Sequence, residues 1–361
     1  MLRRMARLTV SCASMYNGGA ERVLSILSDA FAGHYDEVEY VTWVKFPIGF
    51  PMNPKVKFHC VEEEAGTKSK WKQMRWFRQH IKETNPDLVL SLLAPFNMLT
   101  VASLVFTGRK IVVCERSDAR YLKGGKKMRM IRDFLYSFSV GILSQTESNI
   151  RSLPNYLQRK CSVIYNPLNM DKRYIGAALK TPKTKTIVTV GRLIAVKNHE
   201  MLSRAFKRVL DAHPEYELVI YGAGENQENL TKYISFLGMV DKIKLPGSFP
   251  DIWDRILSAE IFVLSSNYEG MPNALLEAMC LGLPCISTRV NGAVDVIKTG
   301  ENGLLVDVGE EDTLVDALLT LIEDKGKAVK LGEKASQLYK ELEYSKISQQ
   351  WLDYLDDKIA R

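Results

Sequence analysis

Ile261-Phe-Val-Leu-Ser-Ser-Asn-Tyr-Glu269-Gly-Met-Pro-Asn-Ala-Leu-Leu-Glu277-Ala-Met-Cys-Leu-Gly-Leu-Pro284 is the stretch whose reading decides the fold. Its first four residues form a short, fully apolar run bounded by Ser265 and Ser266, the mark of a buried strand. Gly270 and Pro272 shape a turn, and Asn273 to Leu281 reads as a helix. Pro284 to Thr288 then supplies a second apolar run. Strand, helix and strand in this order make a βαβ unit of a parallel sheet. The helix that starts near Asn273 points its free N–H groups back at the strand end, a position that favours phosphate.

The same alternation runs outward in both directions. Towards the N-terminus the strands are Leu8–Ala13, Val38–Trp43, Leu88–Leu93, Lys110–Cys114, Val140–Ser144 and Cys161–Ile164. Helices fall at Glu21–Ala32, Trp71–Glu83 and near 126–137. Tyr165-Asn-Pro-Leu168 breaks the pattern, and the polar, Pro-containing Lys180–Lys185 reads as a linker. Alternation resumes with the strands Thr186–Gly191, Glu217–Tyr221 and Ile243–Leu245 and the helices His199–Ala212 and 227–237. The tail from Glu310 is helical. The expectation is two doubly wound α/β domains, over residues 1–165 and 166–345, with a C-terminal helix at 346–361 packing back on the first. Ligands of such sheets bind at the carboxyl ends of the strands, which puts the expected site between the domains.

Among 361 residues, 46% are hydrophobic and 25% charged, which excludes a disordered tail, a collagen-like rod or a coiled coil. Six cysteines without C-x-x-C spacing read as reduced thiols rather than a zinc or disulfide framework. Arg3, Arg4 and Arg7 precede too short an apolar run for a secretory signal. Leu88 to Phe106 carries no charge and has the length of a membrane span, but Pro95 and Asn97 divide it into strand, loop and helix. None of the five histidines has a metal-ligand spacing and no Asp-x-Asp triplet occurs, so no metal is expected in catalysis.

Taken alone, Glu269 and Glu277 fit a capped amphipathic helix as well as a site, and Arg192 and Lys197 fit solvated surface charge. Gly222 and Gly224 fit a plain strand-to-helix turn, and Asn17-Gly18-Gly19 an ordinary βα loop. Together they carry more. Glu269-Gly-Met-Pro-Asn273, Glu277-Ala-Met279, Gly282-Leu-Pro284, Asn291-Gly292 and Glu301-Asn-Gly-Leu-Leu305 stand in order with Gly18-Gly-Ala-Glu-Arg22, Asn166-Pro167 and Gly191-Arg-Leu…Lys197-Asn198. This set closely resembles the family 4 glycosyltransferases, retaining enzymes of the GT-B fold that use nucleotide sugars, and it runs nearly end to end.

The resemblance implies roles. Arg192 and Lys197 would hold the donor diphosphate and stabilise charge on the leaving group. Glu277 would accept the ribose hydroxyls, and Glu269 would lie near the sugar. The backbone of Gly270, Met271, Pro272, Asn273 and Ala274 would read the sugar hydroxyls, and Gly222 would let the backbone approach the nucleotide. Gly18 and Gly19 would add anion-binding amides from the first domain. A histidine common among relatives is missing; Val113-Cys-Glu-Arg-Ser-Asp118 stands there, which makes Glu115, Arg116 and Asp118 candidates for sugar or acceptor contacts.

Residues 1–165 carry a net charge of +11 and residues 166–361 a net of −4. The excess concentrates in 68–82 and 109–132, where Trp71, Met74, Phe77 and Ile81 form a core stripe and Trp76 projects onto the basic side. An anionic membrane surface suits this face; nucleic acid is not expected, since no motif for it accompanies the charge. The expected enzyme is cytoplasmic and peripheral on the inner face of the membrane. It would move a hexose or N-acetylhexosamine from a nucleotide sugar, UDP before GDP, to a lipid-linked or polyprenyl-diphosphate-linked glycan, with no cofactor. Other readings are a UDP-N-acetylglucosamine 2-epimerase-like enzyme and a non-catalytic glycolipid- or nucleic-acid-binding protein.

Overall fold

The computed structural model describes residues 6–16 and 18–361. Arg3, Arg4 and Asn17, to which the sequence reading assigned meaning, lie outside the described residues. The chain divides into two compact units, one formed by Met1–Asn169 with Leu342–Arg361 and the other by Met170–Glu341.

The first unit holds a seven-stranded parallel sheet: β1 (Arg7–Cys12), β2 (Glu37–Thr42), β3 (Lys57–Cys60), β4 (Leu88–Leu92), β5 (Ile111–Glu115), β6 (Gly141–Ser144) and β7 (Cys161–Val163), in the order β3-β2-β1-β4-β5-β6-β7. Both faces of the central strands are covered, which explains the nearly unbroken apolar runs of β4 and β5. Leu88, Leu90 and Leu92 enter one core layer, and Val89 between them enters the other. The chain leaves this unit beyond Leu168 and returns beside it, where Leu168 N donates to Leu342 O at 2.8 Å. Its last helix, Tyr344–Ala360, lays Ile347, Trp351 and Leu355 into the layer that contains Phe31. The Trp351 and Phe31 rings meet edge to face at 6.3 Å.

The uncharged run from Leu88 is strand, turn and helix. Leu93 turns the chain at φ +74, and Pro95 sits in the first turn of the Ala94–Leu104 helix, where its missing N–H costs nothing. Among the described residues no helix is long and apolar enough to cross a membrane.

The second unit holds a six-stranded parallel sheet: β8 (Thr186–Val190), β9 (Glu217–Tyr221), β10 (Ile243–Gly247), β11 (Ile261–Leu264), β12 (Cys285–Thr288) and β13 (Leu304–Val306), in the order β10-β9-β8-β11-β12-β13. The sequence reading omitted two edge strands, β3 and β13; four and three residues long, they give too little periodicity to recognise.

Two local expectations are corrected. Lys180–Lys185 is no linker between units, for it lies inside the second one. Lys183 Nζ donates to Leu257 O at 3.1 Å and Ala259 O at 2.9 Å, and burial pulls its pKa down to about 8. The stripe of the Lys70–Thr84 helix runs through Gln73, Phe77 and Ile81 rather than through Trp71, which is 75% exposed. Phe77 is held against Trp43 of the sheet face at 5.0 Å. Trp76 turns from solvent to stack on His80 at 4.9 Å.

The closing helix yields a test. Trp351→Ala removes a fully buried indole from the first unit and should cost about 3–5 kcal/mol. Urea unfolding followed by circular dichroism measures it, and a loss below about 1 kcal/mol would mean that the helix is a dispensable cover.

Candidate active site

The order of the second sheet reverses at its first strand. β9 and β10 lie on one side of β8 and β11 to β13 on the other, so the chain departs in opposite directions from the carboxyl ends of β8 and β11 and leaves a crevice there. Three of the segments that the sequence singled out in this half emerge at that end. Gly191 to Asn198 follow β8, Gly222 and Gly224 follow β9, and Ser265 to Asn273 follow β11.

Side chains and backbone brace the crevice from both sides. Lys197 Nζ donates to Glu269 Oε1 at 2.5 Å, and both side chains are largely buried. Ser266 Oγ donates to the same oxygen at 2.7 Å. Ser265 Oγ donates to Lys197 O at 2.8 Å, and Asn267 N to Val196 O at 2.8 Å. Asn198 follows Lys197 because the chain there takes a left-handed turn, φ +49, which asparagine tolerates better than most residues. Its amide donates to Asn267 Oδ1 at 3.0 Å. Arg192, on the same loop after β8 as Lys197, is exposed and makes no ion pair among the described residues. A pair of cations at the end of a parallel strand is suited to a diphosphate.

Glu277 lies one turn into the Asn273–Leu281 helix and is 4% exposed. Its Oε2 accepts from Trp253 Nε1 at 2.8 Å. Trp253 also packs edge to face on Tyr174 at 5.3 Å, and Tyr174 OH donates to Asp254 Oδ1 at 2.8 Å. The sequence reading missed this tryptophan. Its only signal was an aromatic residue just after Pro250-Asp251, upstream of an apolar strand.

Pro272 occupies the N-cap of the Asn273–Leu281 helix, and no side chain caps that end. Met271 is buried and Ala274 half-buried in the turn. Gly292 allows the turn to close: its N donates to Gly270 O at 2.7 Å, and a Cβ there would stand 2.6 Å from the same oxygen. Gly222 serves a similar purpose. At φ +146, a Cβ on it would lie 1.8 Å from Gly191 O. The close approach it permits is that of the protein's own loop after β8.

In the first unit, Gly18 is the N-cap of the Gly19–His34 helix, and Gly19 is exposed. The Glu21 carboxylate folds against Gly18, 2.1 Å from where a Cβ would be. Glu115 is fully buried. Its Oε2 accepts from Tyr136 OH at 3.0 Å and its Oε1 from Ser117 Oγ at 3.4 Å, and burial raises its pKa. Tyr136 in turn accepts from Asn97 at 2.9 Å. Arg116 Nη2 donates to Asn166 Oδ1 at 2.7 Å, and burial lowers its pKa to about 10. Asp118 accepts from Arg120 Nη2 at 2.6 Å. The structure therefore places all three of these side chains inside the protein, each with an internal partner.

Residues 171–338 match the family Glycosyl transferases group 1. The chain carries a group 1 glycosyl transferase domain. This glycosyltransferase is 26% identical over 359 residues to the GalNAc-alpha-(1->4)-GalNAc-alpha-(1->3)-diNAcBac-PP-undecaprenol alpha-1,4-N-acetyl-D-galactosaminyltransferase of Campylobacter jejuni, covering 96% of this chain and 98% of the other. A shorter match, 34% over 139 residues, covers 38% of this chain and 36% of the UDP-Gal:alpha-D-GlcNAc-diphosphoundecaprenol alpha-1,3-galactosyltransferase of Escherichia coli. Among solved structures, Anabaena HepE in complex with UDP and glucose superposes with a TM-score of 0.81 at 17% identity, over 98% of this chain and 100% of that one. The glycosyltransferase has the GT-B fold, with two parallel-sheet Rossmann-like units.

His199, at the start of the helix after Lys197, provides a pH test. Burial, with the Lys197 charge, lowers its pKa to about 4 from an ordinary 6.5, so the folded glycosyltransferase holds it neutral. The unfolded chain binds the proton first, so the stability from this residue is complete above pH 6.5 and is lost as pH falls towards 4. By pH 5 the loss should reach about 2 kcal/mol. The difference between wild type and His199→Gln in urea unfolding at pH 7 and pH 5 measures it, and an equal pH response in both would remove His199 as the cause.

Proposed function

We propose that this glycosyltransferase moves a hexose or N-acetylhexosamine, with retention of configuration, from a UDP-sugar to a polyprenyl-diphosphate-linked glycan. The observation that supports the reading most is the crevice after β8 and β11, braced by the Lys197–Glu269 pair, with Arg192 on the same loop as Lys197. Arg192 and Lys197 neutralise the diphosphate and stabilise the charge that develops as the bond to the sugar breaks. Glu277 accepts the ribose hydroxyls, with the Trp253 Nε1–H holding the carboxylate in place. Glu269 has Oε1 committed to Lys197 and Ser266, which leaves Oε2 for a sugar hydroxyl. That commitment favours an orienting carboxylate over a covalent nucleophile, because Oε1 is already engaged by the Lys197 ammonium and the Ser266 hydroxyl. The turn Gly270–Ala274 supplies backbone amides to the sugar. Within the first unit, Gly18 and Gly19 offer anion-binding amides at the start of their own helix, and Glu115, enclosed by Tyr136 and Ser117, supports the loop that carries Arg116 and Asp118. The undecaprenol-linked substrates in the names of the Campylobacter and Escherichia relatives support the acceptor class.

Cations from side chains make a metal unnecessary for transfer. Glu277→Ala should weaken UDP binding by about 2–4 kcal/mol in calorimetry. Lys197→Ala should lower kcat more than it raises KM, and transfer should continue in excess EDTA. UDP affinity unchanged in Glu277→Ala would take that residue out of the donor site, and activity abolished by EDTA and restored by Mn²⁺ would end the metal-free reading.

The first unit adds the membrane side of the proposal. The Gly125–Tyr136 helix turns Arg132 inward, where Nη1 donates to Ala119 O at 2.6 Å, and turns Met130, Ile131 and Phe134 outward. Phe134, 63% exposed, packs edge to face on Phe138 at 5.3 Å, and Phe138 packs on Phe106, 89% exposed, at 5.9 Å. Exposed Lys126 and Lys127 precede this aromatic ridge on the same helix. Apolar rings for the lipid boundary and lysines for anionic headgroups suit an interfacial helix at the cytoplasmic face. Phe134→Ser with Lys126→Glu and Lys127→Glu should abolish co-sedimentation with anionic vesicles. Activity on a short water-soluble acceptor should persist. Wild-type pelleting that is equal with neutral vesicles and insensitive to salt would assign the ridge to another partner.

A further inference from the structure

The fold brings together two histidines that the sequence keeps 21 residues apart. Glu39 of β2, His59 of β3 and His80 of the Lys70–Thr84 helix present one ligand atom each, all within 4.8 Å of one another. The strand register explains the meeting. Thr9 pairs with Glu39 and Val41 with His59, so Thr9, Glu39 and His59 project from one face of three adjacent strands, and the helix lies over that face.

We propose that Glu39, His59 and His80 form a binding site for one divalent transition-metal ion of the zinc type, which fastens the edge of the first sheet to the helix above it. Glu39 Oε2 lies 3.0 Å from His80 Nε2 and 3.8 Å from His59 Nε2. Ligand atoms about 2.0–2.1 Å from a tetrahedral zinc stand about 3.3 Å from each other, a spacing that the two Glu39–histidine separations bracket. Two imidazoles and a carboxylate suit zinc, with water in the fourth position.

The surroundings already orient each ligand. His59 Nδ1 is 3.0 Å from Glu64 Oε1, which fixes the tautomer that turns the Nε2 lone pair towards Glu39. Glu39 Oε1 accepts from Thr9 Oγ1 at 2.5 Å and Thr84 Oγ1 at 3.3 Å, which leaves Oε2 as a monodentate ligand. Trp76 stacks on the His80 ring and holds its plane. The side chains of Glu39 and His80 are 7% and 10% exposed, and that of His59 is 29% exposed, so an ion enters past His59. Binding displaces the proton that His80 Nε2 shares with Glu39 and releases it to solvent. The site belongs to the first unit and takes no part in the donor chemistry proposed above.

The test uses the full chain freed of metal by chelator and dialysis. Titration with Co²⁺ should give the visible d–d bands of a tetrahedral site at one ion per chain, and Zn²⁺ should displace them. Zn²⁺ should also raise the melting temperature of wild type, because the ion binds only the folded chain. His59→Gln, at the partly exposed position, should lose the bands and the thermal shift while retaining the wild-type fold by circular dichroism. Glu64→Gln should weaken Zn²⁺ roughly tenfold by its loss of support for His59. Cys60→Ser, which changes the neighbouring thiol, should bind as wild type does. Bands and thermal shift that persist in both His59→Gln and His80→Gln, or a wild type that gives neither, would overturn the proposal.

Discussion

The reversal of strand order at β8 is the constraint on which the second unit depends. Parallel strands need right-handed crossovers, and a sheet that grows from its first strand in both directions places its helices on both faces. At the reversal two neighbouring loops part, and the backbone opens where strand ends and helix N-termini point together. An opening of this kind is weak unless something ties its walls. Here Lys197 and Glu269 make the tie, with Ser265, Ser266, Asn198 and Asn267 beside them. The ion pair is largely sheltered from solvent, so its geometry matters more than that of a surface pair. The same two residues that hold the crevice are those proposed to act on the donor, which makes the site rigid before any ligand arrives.

Close packing around the crevice accounts for the glycines. Gly222 and Gly292 stand where a neighbouring carbonyl comes within 1.8 and 2.6 Å of a would-be Cβ. At such distances the obstacle is backbone and cannot move aside as a side chain would. These glycines act on ligand chemistry indirectly, by fixing the loops that carry Arg192 and Gly270.

The first unit repeats the topological rule at β1 and β4 but treats its polar residues differently. Glu115, Tyr136 and Asn97 form a buried chain of hydrogen bonds, and Arg116 and Asp118 are each paired nearby. Burial of so many polar side chains is tolerated because each makes at least one internal hydrogen bond. The helix above them carries its apolar residues outward for a related reason. Arg132 and Tyr136 complete the internal network and take the inward positions, which leaves Met130, Ile131 and Phe134 for the surface.

The sequence by itself determined the parallel α/β architecture, the succession of most strands along the chain and the strand–turn–helix segment proposed to bind the donor. These are local properties: an apolar run buried on both faces, a Gly-Pro turn and a helix from Asn273 are legible within a few residues of one another. It also made Lys197 and Glu269 candidates, though not partners. Tertiary structure decided what depends on distance across the chain. It set Trp253 against Glu277, chose Phe77 over Trp71 as the core-facing line, and enclosed Lys183 in a segment that composition alone would make a linker. It also gathered Glu39, His59 and His80 from two strands and a helix. No spacing rule reveals that cluster, because strand register and helix docking set the separation of its members, and neither is written in sequence distance.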